Sequence, residues 1–179
     1  MTSQHTPETV LDDWARSSWP LMTQLAEHRR TANITREQVA EAVGVTDNAI
    51  YRWESRQKSP KFAYLLRFAA RVGRRVALWD GTRIVAEGAD IPAALKSVRE
   101  AAELSQRDLA ALMHVVQSAV VMRETRGCVR VSSMEDYLRP LGARLILLPL
   151  PPEMSVAARC QGGHHEINTL EKTSCQLQP

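Results

Sequence analysis

The sequence repeats itself, and the repeat limits what the chain can become. With a shift of 70, LAEHRRTANITREQVAEAVGVTDNAIYRWESR at 25–56 falls on LKSVREAAELSQRDLAALMHVVQSAVVMRETR at 95–126. Apolar positions agree (Leu25/Leu95, Ile34/Leu104, Val39/Leu109, Val43/Met113, Val45/Val115, Ile50/Val120), and so do the small pairs Ala32/Ala102, Ala40/Ala110 and Ala49/Ala119. Arg29/Arg99 and Glu54/Glu124 agree as well. After a one-residue deletion the match continues at a shift of 69, with LLRFAARVGRRVAL at 65–78 on MEDYLRPLGARLIL at 134–147. Self-similarity at a fixed offset means one supersecondary unit used twice. A chain of 179 residues is long enough for two small helical domains of this kind.

Each copy reads as short helices followed by a strand. Thr6-Pro7-Glu8 predicts a leading helix over about 8–17, with proline in its first turn. The first helix of copy one is expected over about 20–32. Thr35 caps a second at about 36–42, and Thr46 a third at about 47–56. Ser59-Pro60 is expected to start a fourth, ending at Gly73. Arg74 to Trp79 reads as a strand, Asp80-Gly81 as a tight turn and Arg83 to Glu87 as a second strand. Copy two opens near Asp90-Ile91-Pro92 and closes on an apolar strand at 144–148. The expected class is mainly α. Two tandem helix-turn-helix domains, 19–88 and 89–150, lie between a helical extension at 1–18 and a disordered tail at 151–179.

Residues 36–55 resemble the helix-turn-helix of the phage Cro/CI (lambda-repressor-like) family. Ala40 is small where two helices must approach, Gly44 sits in a turn that needs positive φ, and Val39, Val43, Val45, Ile50 and Trp53 face the core. Arg29 and Glu54 match a pair that the family uses as a structural salt bridge, and Arg99 and Glu124 repeat it. The resemblance implies that helix 3 enters the major groove of double-stranded DNA. Its outward positions are then Asp47, Asn48, Tyr51, Arg52 and Ser55. Asn48 suits a bidentate contact to adenine and Arg52 one to guanine. Tyr51 suits a thymine methyl or a phosphate. Asp47 accepts from cytosine or strengthens the helix N-terminus. Arg36, Gln38, Ser55, Arg56 and Lys58 are placed for phosphates.

Copy two departs from the pattern. His114 stands for Gly44, Val116 for the capping Thr46 and Arg123 for Trp53. Its outward face offers Gln117, Ser118 and Val121 for bases, with Gln106 and Arg126 for phosphates. Val121 and Met122 are apolar there, so this helix either reads DNA weakly or contacts a protein.

Charge agrees with a polyanionic partner for copy one. Residues 19–88 carry 12 basic and 7 acidic side chains, whereas 89–150 carry 8 and 7. No apolar run approaches a membrane span, and the polar opening MTSQHTPETVLDD predicts no signal peptide, so a cytoplasmic, nucleoid-associated protein is expected. Three cysteines without CxxC spacing predict no disulfide framework. Cys160, His164, His165 and Cys175 are zinc-type ligands without the spacing of a common zinc site, so no metal or other cofactor is expected. No nucleophile–base set, glycine-rich phosphate loop or HExxH motif is present, which argues against an enzyme. The strands at 74–79 and 144–148 have three possible pairings: with each other in one chain, with a second chain, or, for 74–79, back onto 83–87. The resulting expectation is a transcriptional repressor. The alternative is an antitoxin that represses its operon and holds a toxin through domain 2 or the tail. A protein-interaction module is the third.

Overall fold

The computed structural model describes residues 21–127 and 130–151. The expected leading helix and the cysteine- and histidine-bearing tail lie outside the described residues. Four helices open the fold: α1 (Leu21–Thr31), α2 (Arg36–Val43), α3 (Asp47–Glu54) and α4 (Phe62–Arg71). The hairpin β1 (Arg74–Trp79) and β2 (Ile84–Glu87) follows. Helices α5 (Ile91–Ala101), α6 (Gln106–Leu112), α7 (Gln117–Arg126) and α8 (Val131–Leu138) then lead to β3 (Arg144–Pro149).

Local chemistry sets these boundaries. The Thr35 hydroxyl accepts from Gln38 N while the Gln38 side chain accepts from Thr35 N, a reciprocal cap that satisfies two otherwise orphaned donors. Ser105 and Asp108 do the same for α6. Gly44 ends α2 at φ 80°, and its N–H closes on Ala40 O. His114, in the matching turn, sits at φ 54° and accepts a backbone that glycine adopts freely. Asn33 and Glu103 form a third matched pair, at φ 54° and 56°. The fourth helix starts later than Ser59-Pro60 suggests. Its N-cap is Lys61, because Pro60 O accepts from Val131 N and Ser59 O from Arg130 Nη1, which draws that dipeptide into a contact between the two halves.

The strands use two of the three expected pairings at once. The sheet order is β2-β1-β3, with both neighbours of β1 antiparallel to it. The β1–β3 register relates the halves by their sequence repeat. Ala77 faces Ile146, its own equivalent. Val76 faces Leu147, and their equivalents Leu145 and Leu78 face each other. A separate antiparallel bridge joins Lys61 to Arg130, again an equivalent pair. Both contacts pair positions that align in the sequence. A single apolar core runs through both halves and includes Leu25, Ile50, Leu65, Phe68, Leu95, Val120 and Tyr137. Burying a side chain such as Leu65 or Phe68 contributes about 2 kcal/mol each. Among the described residues no helix is long and apolar enough to cross a membrane.

Candidate nucleic-acid interface

Helix α3 is fixed from beneath and open above. Thr46 caps it by accepting from Ala49 N at 3.3 Å. Ile50 and Trp53 point into the core, and Trp53 stacks on Tyr64 with ring centroids 5.8 Å apart. The opposite face carries Asn48, Tyr51, Arg52 and Ser55, all exposed, with Arg56 and Lys58 exposed just beyond it. Arg36 of α2 lies across the start of α3. Its guanidinium pairs with Asp47 at 3.5 Å and covers the Tyr51 ring at 5.4 Å. That gives Asp47 a local cation partner and holds Tyr51 in place beside it. The Gln38 side-chain oxygen is used in the cap, while its amide nitrogen stays on an exposed residue.

Arg29 of α1 ties the end of α3 to the loop before α2. Its Nε and Nη2 donate to the two Glu54 carboxylate oxygens at 2.6 and 2.9 Å, and its Nη1 donates to Ile34 O at 3.0 Å. The bond to Glu54 leads the causes that raise the Arg29 pKa. Arg99 repeats the arrangement with Glu124 at 2.7 and 3.2 Å and with Leu104 O at 2.7 Å. Glu124 gathers two further donors, Gln106 Nε2 at 2.9 Å and the Tyr137 hydroxyl at 2.7 Å. Burial alone would raise its pKa. The bonds from Arg99, Gln106 and Tyr137 outweigh burial and hold it at about 2. Burial, followed by the bond to Glu124, pushes the Tyr137 phenol above its ordinary value.

The second helix pair presents a different face. Gln117, Ser118 and Arg126 are exposed on α7 as the sequence suggests. Val121 is half-buried rather than fully outward. Gln106, expected at a phosphate, spends an amide hydrogen on Glu124 instead. Val116 gives α7 no side-chain cap. Arg123, where α3 has Trp53, is half-buried with Nη1 enclosed and unpartnered. Leu112, Val116 and Met122 are exposed at 54%, 70% and 45%.

Sequence reasoning missed two residues here. Tyr137 aligns with Phe68, and a hydroxyl added at a buried position was the available signal that a partner was needed. Arg130, exposed, enters the groove beside α3 together with Asn48, Arg52, Lys58 and Lys61.

Residues 25–79 match the family model described as Helix-turn-helix. No curated protein and no solved structure matches the chain. The matched segment holds α2, the Gly44 turn and α3 with its open polar face, so residues 25–79 are a DNA-binding helix-turn-helix unit of the kind found in transcription regulators.

Proposed function

We propose that the protein is a sequence-specific regulator of transcription, most simply a repressor of the Cro/CI type, whose single chain carries two unequal reading heads. The observation that carries this reading is the open Asn48–Tyr51–Arg52–Ser55 face on a helix whose other side is locked into the core. In the major groove Asn48 reads adenine and Arg52 reads guanine. Tyr51 and Asp47 set the helix start against neighbouring bases. Ser55, Arg56, Lys58, Arg36 and the Gln38 amide hold phosphates. The repeated Arg–Glu lock, the matched positive-φ turns and the self-matched strand register support a second tandem head built on α6 and α7. There Gln117 and Ser118 face outward, with Arg126 at the helix end and Val121 at the flank. The chain then acts as a covalent pseudo-dimer at the nucleoid, on an imperfectly palindromic operator with half-sites about 34 Å apart.

The alternative is an antitoxin whose second half holds a toxin. The exposed Leu112, Val116 and Met122 favour it, since three large apolar side chains on one helix pair suit a protein contact. In either case no catalytic role is proposed.

The test is fluorescence anisotropy on the upstream DNA of its own gene and on random duplex, over a salt series. Wild type is compared with Asn48→Ala/Arg52→Ala and Gln117→Ala/Ser118→Ala. The first variant loses sequence-dependent binding, and the second loses preference in one half-site. Equal binding to all duplexes, or none, would refute the reading. Full binding by the second variant, with a stable complex between the protein and the product of a neighbouring gene, would move the second half to the antitoxin role.

A further inference from the structure

We propose that a pocket in the second half, between the turn after α6 and the end of α8, binds a small apolar monocarboxylate through Arg123. An aromatic acid or a short fatty acid has the required chemistry. The lining includes none of Gln117, Ser118 and Arg126, so occupancy does not depend on whether α7 touches DNA.

The pocket lies where copy two departs from the core of copy one. In copy one Trp53 is buried and stacks on Tyr64. Their equivalents are Arg123 and Ser133, so two aromatic rings are lost from that place. Arg67 in copy one donates Nη1 to Val43 O at 3.1 Å. Its equivalent is Asp136, which as a carboxylate has no proton to give to the matching carbonyl of Met113. The space here measures about 370 Å³, within the range of small-molecule sites. Leu112, Met113, Val115 and Pro140 give it apolar walls, and the exposed His114 adds an imidazole.

Charge narrows the ligand. Arg139 is paired with Asp136 at 3.2 Å, and the two cancel. Arg123 has no carboxylate partner among the described residues, and its Nη1 is enclosed without an acceptor. An enclosed guanidinium with an unused donor carries a desolvation cost that an anionic acceptor removes. A carboxylate matches the planar fork of arginine. One free cation calls for one negative charge. A phosphate dianion would meet Asp136 with a single guanidinium to balance it. The apolar walls then select a hydrocarbon body over a polar one.

The experiment is a titration of the isotope-labelled full chain, followed by two-dimensional NMR, with benzoate, hexanoate, benzamide and inorganic phosphate as probes. Either carboxylate is expected to bind at about 1 mM or tighter, as ligands of this size can, and to move the amide signals of Met113, Val115 and Arg123. Benzamide and phosphate are expected to bind at least about tenfold more weakly, the factor that one charge-assisted hydrogen bond supplies. Arg123→Met is expected to lose the same factor while its spectrum overlays wild type away from the pocket. Asp136→Asn, at an exposed position, removes the pocket's acid and frees Arg139, and is expected to tighten carboxylate binding by about threefold. It carries the test should Arg123→Met fail to fold. Benzamide or phosphate binding as tightly as benzoate, or carboxylate affinity unchanged in Arg123→Met, would overturn the inference. So would carboxylate affinity that does not rise in Asp136→Asn, signal changes confined to the groove beside α3, or no saturable change with either carboxylate.

Discussion

The two Arg–Glu locks look alike in sequence and differ in strength, and that difference can be measured. The perturbations are Glu124→Gln and Glu54→Gln, each removing one carboxylate charge at nearly constant volume. Glu54 is 9% exposed and accepts two bonds from one arginine. Glu124 is 3% exposed and accepts four, from Arg99, Gln106 and Tyr137. Moving the Glu124 pKa from 4.5 to about 2 corresponds to about 3 kcal/mol of folding free energy. Breaking a buried pair and leaving its arginine uncompensated costs about 3–5 kcal/mol. Glu124→Gln is therefore expected near that range, and Glu54→Gln lower by at least about 1.5 kcal/mol, the worth of one charge-assisted bond. Urea unfolding at pH 7, followed by circular dichroism, gives both values. Acid adds an independent check. A depressed carboxylate pKa stabilises the folded state above the unfolded value of 4.5 and loses that contribution as pH falls towards 2. Wild-type stability should fall over that window, and Glu124→Gln should lack the share that Glu124 supplies, while Glu37, Asp80 and Asp108, whose pKa values are also lowered, still contribute theirs. Equal costs for the two variants, or an unchanged acid slope in Glu124→Gln, would refute the reasoning.

Three further substitutions test the local chemistry by the same unfolding assay. Gly44→Ala puts a β-carbon at φ 80° with open space around it, so the loss is conformational and near 1–2 kcal/mol, whereas His114→Gly gains up to about 1 kcal/mol. Val116→Thr restores the missing cap of α7 and is expected to add about 1 kcal/mol. Arg123→Met removes an enclosed, unpartnered guanidinium nitrogen while keeping an apolar stem, and is expected to raise the unfolding midpoint by an amount worth about 1 kcal/mol.

The elements that local rules govern were legible in the sequence. Apolar spacing placed α1 to α3, the Thr35 and Thr46 caps marked helix starts, and Gly44 announced its own turn. The Arg29–Glu54 pair was legible through the resemblance to the Cro/CI helix-turn-helix, and the repeat carried it over to Arg99–Glu124. What depended on contacts between the halves was not. Ser59-Pro60 has the composition of a helix start, yet Arg130 and Val131 claim its carbonyls and the helix begins at Phe62. Gln106 was read as phosphate support, whereas in the structure its equivalent Arg36 turns to Asp47. Position 117 holds glutamine instead of an acid, so the side chain turns to Glu124. Val121 was read as outward because it aligns with Tyr51, yet the structure leaves it half-buried where Tyr51 is exposed.

A ladder closed inside one chain also takes concentration out of the pairing of its halves. In an assembly of separate subunits, the paired form falls away as the subunits are diluted. Here β1 meets β3 through a covalent tether of fixed length, so the pairing is as complete at a few copies per cell as at thousands. On the two-headed reading proposed above, occupancy of a single target then rises hyperbolically with dose and carries no squared term. The same tether changes what a substitution does: in identical subunits every change appears twice, while here Arg123 changes one half and leaves Trp53 in the other. Each half is thereby free to drift towards a different task while the sheet keeps the two in register.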